Sequence, residues 1–500
     1  MKYTVLDYLE ETAERYPDKI AFADTTTSVT WKELVEKSKE LSAVLQNYFE
    51  PGTAVPVMAD KTVLTIEFFF AALYAGCFYS FIEATFPDSR IESMLTTLDV
   101  EYIIADSKFE KKLAAQNIKP LFIQNLCEQH KEYNDTVRQN IIDTDLVYAN
   151  FTSGSTGTPK AVGVSHRCVI DFISCFVETF EITSQENIAN QAPLDFDVSV
   201  KDIFSAVFTG ASVHLVPKMF FSFPTKLLDY LVEREITTLI WAVSALCIIS
   251  TLDGFSYKVP SKLKKIMFSG EVMPVKHLHI WQKYIPQAQY INLYGPTEIT
   301  CNCTYHIIDK EIPDDGVIPM GIPFKNERVF LLDEENHLVT EPDTQGEICV
   351  SGTCVVPGYY NNWPKTNEVF VQNPLQNRHF ERIYRTGDLG KIGKDGLFYY
   401  CGRKDFQIKL NGHRIELSEV EGAIMEIEGI SRSCCIFADN KVTAFYTGTE
   451  LDKKDIVKNL REKLPVFMIP ADIIYLQEFT LNKNGKIDRN VLKEMLNENN

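Results

Sequence analysis

The sequence predicts an α/β protein: a large N-terminal domain of layered α/β subdomains ending in a β-rich lobe, followed by a small α+β C-terminal domain. Three observations carry this expectation. Helical patterns alternate with short β-rich runs through the first half of the chain. From Gly346 the texture changes to short β segments separated by turn signals, and from Gly402 the last stretch has its own order of strand, turn and helix.

Taken in order, residues 30–45 show a helical pattern after a threonine, 55–58 and 102–105 read as strands, and 145–150 is a strand entering a glycine-rich loop. Phe68-Phe69-Phe70 reads as core, and His166, between a strand and a helix, as structural. The run 236–252 is apolar and uncharged but shorter than the ~20 residues a membrane-spanning helix needs. It reads as a buried strand running into a helix. In the lobe, 347–351 and 397–401 are strands and Lys394-Asp395-Gly396 a turn. The division falls between domains 1–401 and 402–500. Beyond it, 406–410 is a strand, Asn411-Gly412 a turn, and Ser418-x-x-Glu421 a capping box for a helix with Val420, Ala423, Ile424 and Ile427 on one stripe. A helix over 454–464 and a strand over 473–475 complete the unit.

Composition narrows the function. Five hundred residues, 45% hydrophobic, suffice for more than one core. A net charge of -18 argues against a nucleic-acid backbone or an anionic membrane surface as partner. The N-terminus has no apolar signal core, so a cytoplasmic location is expected. The twelve cysteines contain one C-x-C and no C-x-x-C, and the nine histidines no H-E-x-x-H, so no transition-metal site is expected.

The strongest local signal is Thr152-Ser153-Gly154-Ser155-Thr156-Gly157-Thr158-Pro159-Lys160. Glycines let backbone amides turn inward and the hydroxyls add donors, so such a loop can wrap a polyphosphate. It is not a Walker A loop, because Pro159 stands where that motif has glycine. A plain Gly/Ser linker is the competing reading.

Further motifs follow in order: Phe196-Asp197-Val198-Ser199, Asn292-Leu293-Tyr294-Gly295-Pro296-Thr297-Glu298, Gly346-Glu347-Ile348, Tyr384-Arg385-Thr386-Gly387-Asp388, Gly402-Arg403-Lys404-Asp405-Phe406-Gln407-Ile408-Lys409 and Asn484-Gly485-Lys486-Ile487-Asp488-Arg489. With them the chain resembles, over nearly its whole length, the amino-acid adenylation domains of non-ribosomal peptide synthetases and the D-alanine:carrier-protein ligases, within the adenylate-forming superfamily. The resemblance implies an ATP-dependent, AMP-forming acid–thiol ligase using Mg²⁺. Thr152, Ser153, Gly154, Ser155, Thr156, Gly157 and Lys160 would hold the phosphates, Thr297 the α-phosphate, and Glu298 the Mg²⁺. Tyr294 would stack on adenine with Asn292 and Gly295 beside it, Asp388 would accept from the ribose hydroxyls, and Arg403 would reach the sugar or phosphate. Lys486 would sit where negative charge gathers during adenylation.

The same resemblance gives Asp197 to the substrate α-ammonium. Its competing reading is a helix N-cap, a duty Ser199 could also serve. It lines the side-chain pocket with Val198, Lys201, Trp241, Met267, Ser269, Leu293, Cys301 and Asn302, and a bulky Trp241 there would favour a small substrate. Lys201 either answers a polar or acidic substrate group or lays its stem along the wall and sends its charge to Asp202 or water, the second being favoured. The chain carries no carrier attachment segment, so the expected thiol acceptor is the phosphopantetheine arm of a carrier protein supplied in trans. Resemblance also places a hinge at Asp405, about which the last domain would alternate between two poses, the Asn411-Gly412 turn facing the active site in the second. A CoA ligase for a non-amino acid, or a silent binding protein, are the alternatives; the joint presence of Lys486, Glu298 and Asp388 speaks against the latter.

Overall fold

The computed structural model of the chain describes residues 2–154, 158–481 and 487–498. Two large sheets form the first part. In a nine-stranded sheet, counted among the described residues, strands Gln289–Tyr294, Lys265–Ser269, Thr238–Ala242, Asn187–Asn190, Ser212–Leu215 and Ile20–Ala23 run parallel side by side. The second, seven-stranded sheet centres on Ala54–Met58 and Phe78–Phe81 and continues into the antiparallel pair Leu146–Thr152 and Lys160–Ser165. Helices Val63–Tyr74 and Val198–Thr209 are buried along almost their whole length, and one apolar cluster joins residues of both sheets with both helices. A helix apolar all round belongs in such a sandwiched layer. The Phe68-Phe69-Phe70 run is core as expected: Phe69 stacks on Tyr79 at 4.0 Å between ring centres, and Phe70 meets Phe204 edge-on.

The expected helix over 30–45 forms as Trp31–Leu45, with Thr30 accepting from the Glu33 amide, and the strand over 102–105 forms as Tyr102–Ala105. The 236–252 run divides into strand Thr238–Ala242 and helix Val243–Thr251. No described helix is long and apolar enough to cross a membrane. His166 is buried and accepts from the Val5 amide through Nδ1, a structural duty.

The β-rich lobe is a five-stranded sheet of Glu327–Leu332, Gln345–Gly352, Arg382–Ile392, Phe370–Gln372 and Phe398–Arg403. Its last strand stays paired to Arg403 opposite Asp388, so the chain leaves the lobe at Lys404. The remainder has its own core, in which Val420, Ala423, Ile424 and Ile427 pack against the sheet of Ile430–Ala438, Lys441–Gly448 and Asp472–Tyr475. One local expectation fails. The helix begins at Leu417 with Glu416 as N-cap, and the Glu421 carboxylate turns to the sheet, accepting from the Cys435 amide at 2.7 Å and pairing with Arg489. There is therefore no Ser418–Glu421 capping box; a contact across to the neighbouring strand outcompetes a local cap.

Candidate active site

Parallel strands deliver their C-terminal ends to one edge, where ligands of open α/β sheets gather. Here Ser269 and Gly270 close one strand, Gly295 and Thr297 follow another, and Asp197 opens helix Val198–Thr209 beside them. With Thr152, Ser153, Cys301 and Asn302 they line a single cavity. Two glycines are sterically required: a Cβ on Gly154 would stand 1.9 Å from the Thr158 carbonyl oxygen, and one on Gly295 2.5 Å from Asn302 Cα.

On the phosphate side, Thr152 Oγ1 and Asn150 Nδ2 are buried, line the cavity and have no hydrogen-bond partner among the described residues. Orphaned polar atoms on a cavity wall fit a ligand's oxygens, since buried polar groups are otherwise paired. Lys160 is buried beside Glu298 and lies over the Tyr359 ring. Ser155, Thr156, Gly157 and Lys486 lie outside the described residues.

Glu298, fully buried, takes two hydrogen bonds from Arg414 Nη1, at 2.9 and 2.8 Å, and one from the Tyr359 hydroxyl at 2.8 Å. Burial alone would raise its carboxyl, but the Arg414 and Lys160 charges outweigh that and hold it at about 2. This carboxylate is built for a cation: a guanidinium occupies it here, and its acceptor-only chemistry also fits Mg²⁺.

On the nucleoside side, Tyr294 donates to Asp388 Oδ2 at 2.6 Å, while Arg403 Nη1 donates to Asp388 Oδ1 at 2.6 Å and grips Asp405 with Nε and Nη2 at 2.6 and 2.9 Å. Asn292, Tyr294, Leu293, Asp388, Arg403 and Asp405 line a neighbouring cavity of about 640 Å³, within the ~300–1,000 Å³ of small-molecule sites. Asn292 also donates to the Pro319 carbonyl.

In the substrate pocket, Asp197 stands at the N-cap position of its helix, yet its side chain makes no cap bond. The carboxylate instead lines the cavity. Burial raises it, opposed by the Thr297 hydroxyl and the Lys201 and Lys409 ammoniums. Val198, Lys201, Ser269, Cys301 and Asn302 line the same cavity, and Met267 lies behind Ser269 on the same strand face.

Trp241 does not line the pocket. Successive strand residues face opposite sides, and Trp241 lies on the far side of its strand, packed edge-on against Phe221 with Nε1 donating to the Ala189 carbonyl at 2.7 Å. Ile240 is the residue that joins Met267, Ile291 and Leu293 in the cluster on the pocket side. The size restriction read from Trp241 therefore falls. Asp202 is not the partner of Lys201: it turns away, accepting from Asn190 at 2.7 Å, and Lys201 Nζ points between Asn302 Oδ1 and Ser269 Oγ, at 2.8 and 3.3 Å.

The C-terminal hairpin of Gln407–Leu410 and His413–Glu416 enters this site, with Gly412 on the cavity wall as expected of the second pose; that Gln407, Lys409, His413 and Arg414 line it too was not anticipated. Gly412 N donates to Glu271 Oε1, a Cβ added there would lie 3.5 Å from Ala242, and His413 stacks on Phe467 while meeting Phe196 edge-on. Ser153 Oγ donates to the Arg414 carbonyl, and a buried Arg90–Glu419 pair fastens the hairpin's following helix. With the hairpin in place the first cavity keeps only about 90 Å³ open. The available signals were the polar residues Gln407, Lys409 and Arg414 on short strands and the Asn411-Gly412 dipeptide between them, both residues of which take positive φ in the turn.

Residues 9–360 match the model of the AMP-binding enzyme family. The chain is 32% identical to zwittermicin A synthase ZmaJ of Bacillus cereus, over 98% of this chain and 95% of that protein. It is 29% identical to tyrocidine synthase 1 of Brevibacillus parabrevis, over 97% of this chain and 44% of that protein. Among solved structures, holo-PA1221, a non-ribosomal peptide synthetase protein containing adenylation and carrier domains, superposes with a TM-score of 0.84 at 24% identity, over 99% of this chain and 84% of that one. Fold, motif order and site together establish that the chain belongs to the AMP-binding enzymes, as an adenylation unit of the non-ribosomal peptide synthetase type.

Proposed function

We propose that the chain activates an amino acid as its aminoacyl adenylate, releasing pyrophosphate, and then passes the acyl group to the phosphopantetheine thiol of a carrier protein. The observation that carries the amino-acid reading is Asp197, a residue of the pocket wall whose carboxylate is not spent on capping its helix, so that it can receive an α-ammonium beside the Thr297 hydroxyl. A CoA ligase acting on an acid without an amino group would have no use for it.

The chain's own groups suit the first half-reaction. An ionised carboxylate attacks the α-phosphate, so charge neutralisation and in-line placement matter more than proton transfer. Asp197 anchors the substrate ammonium and thereby aims its carboxylate toward Thr297, while Thr152 and Lys160 hold phosphate oxygens and Asp388 holds the ribose. Mg²⁺, held by Glu298, would supply additional neutralisation of the phosphates. Lys486 is assigned the remaining positive charge.

The second half-reaction is assigned to the arrangement in which the hairpin fills the site and Arg414 occupies Glu298. About 90 Å³ is too little for the triphosphate together with the substrate acid, so adenylation calls for the hairpin's withdrawal, by rotation of the unit beyond Lys404 about Asp405. The test of the amino-acid reading is Asp197→Ala in ATP–pyrophosphate exchange. Removing one member of a buried charge pair costs ~3–5 kcal/mol, roughly two to four decades in kcat/KM, with ATP affinity near wild type. Unaltered amino-acid-dependent exchange would sink this reading.

A further inference from the structure

Lys201 is fully buried in the substrate pocket, one helical turn after Asp197. Residues four apart lie on one helix face, so the two side chains reach the pocket side by side, with about 6 Å between their Cβ atoms. Among the described residues no carboxylate comes within 4.0 Å of Lys201 Nζ. Its neighbour Asp202 is engaged by Asn190, and burial lifts that carboxyl to about 8, so it carries little charge near neutral pH. A buried ammonium bonded only to an amide oxygen and a hydroxyl is undercompensated.

The orientation of those two partners is informative. An ammonium only donates, so Asn302 must offer it Oδ1, which leaves the Asn302 Nδ2 hydrogens for something else. Ser269 likewise spends a lone pair on Lys201, leaving its own proton to donate. Asn302 Oδ1 and Ser269 Oγ have each turned a lone pair to Lys201, and beyond the Asp197 carboxylate reserved for the α-ammonium the cluster offers a ligand chiefly donors: the rest of the ammonium, an amide N–H and a hydroxyl. An acceptor-only group matches that surplus of donors best. A carboxylate does so; a carboxamide brings its own N–H₂ group, and an ammonium brings nothing but donors. Ile240 and Met267, apolar and fully buried, support the floor without supplying a competing charge.

Resting on the amino-acid reading above, we propose that the substrate is an amino acid with an acidic side chain, its side-chain carboxylate received by Lys201, Asn302 and Ser269 while Asp197 holds the α-ammonium. Lys201 is then the residue that sets specificity. Its charge and that of Asp197 form two opposite poles, and the substrate presents the complementary pair, so the loaded pocket holds no unpaired charge.

ATP–pyrophosphate exchange on the wild-type enzyme tests this without any variant, using aspartate, glutamate, asparagine, glutamine, serine, alanine and leucine, with succinate and glutarate as acids lacking the α-amino group. An acidic amino acid should lead its own carboxamide by ~10²-fold or more in kcat/KM, because sites built around a substrate's polar group reject analogues that mismatch it by up to ~10⁴–10⁵. Lys201→Met should lower exchange with the acidic substrate by roughly 10²–10⁴-fold and raise the relative rate with leucine. A neutral amino acid preferred by wild type overturns the acidic assignment and leaves the amino-acid reading standing. Succinate or glutarate outrunning every amino acid overturns both. Should Lys201→Met fail to fold, Asn302→Ala, which removes one donor and keeps the ammonium, must still narrow the acidic-over-amide preference; an unchanged preference overturns the proposed donor cluster.

Discussion

Replacing Arg414 by alanine should separate the two half-reactions. Arg414 Nη1 holds both oxygens of Glu298, a carboxylate with no exposed surface, and its Nε has no partner among the described residues, so this ion pair is the side chain's principal polar contact, with the Tyr384 hydroxyl beside it. Breaking a buried pair by deleting one member costs ~3–5 kcal/mol. The cavity beside Glu298 lets water or a dissolved cation return, so the low end applies, which at ~1.4 kcal/mol per decade is roughly 10²-fold in the population of the hairpin-in arrangement. The Ser153–Arg414 carbonyl bond, the Gly412–Glu271 bond and the Arg90–Glu419 pair survive the change, so the unit should still fold and dock, but less often. Single-turnover transfer from purified aminoacyl adenylate to pantetheine should therefore slow by ~10²-fold, while ATP–pyrophosphate exchange stays within a few-fold of wild type. Equal losses in both assays, or undiminished transfer, would refute the role given to this ion pair.

Three other outcomes follow from the same geometry. Lys486→Ala should do the converse, lowering exchange by ~10²–10³ and leaving transfer from supplied adenylate nearly intact; equal damage to both would favour a single fixed pose. Trp241→Ala should destabilise by ~3–5 kcal/mol in urea unfolding, because it empties a fully buried site and strips a bond from the Ala189 carbonyl, and it should leave the order of substrate preference unchanged. Glu298→Gln should alter the acid side of the stability profile. The folded-state carboxyl lies at about 2, below its ordinary 4.5, so its contribution is complete above that value and is lost as pH falls toward 2. The gap in urea midpoint between wild type and variant should be widest above about pH 5 and should close on acidification.

Long, regular features were legible in the sequence. The helix after Thr30, the strand over 102–105 and the division of the 236–252 run into strand and helix follow from periodicity and a cap. So does the start of the hydroxyl-rich loop, where Gly154 answers a local steric demand. Face assignment within a buried strand was not legible. Thr238–Ala242 is buried on both sides, so no polar alternation marks which residues meet the pocket, and a one-residue shift exchanges Trp241 for Ile240. The capping box over Ser418 and Glu421 satisfied a local rule that a tertiary contact to the next strand, at Cys435, overrode. The pairing of Lys201 with Asp202 failed because Asp202 adjoins it in sequence while helix geometry turns the two apart. Arg414 on Glu298 joins positions 116 residues apart, which no local pattern announces.

The central claim is that this adenylation site takes an α-amino acid. Its most direct test is ATP–pyrophosphate exchange by the wild-type enzyme over matched pairs of an amino acid and the same acid without its amino group, each run with and without CoA. The amino member of the active pair should lead by at least ~10²-fold, the low end of an unpaired Asp197, and CoA should make no difference to the ranking. Preference for the desamino acids, with acyl-CoA accumulating when CoA is present, would contradict it.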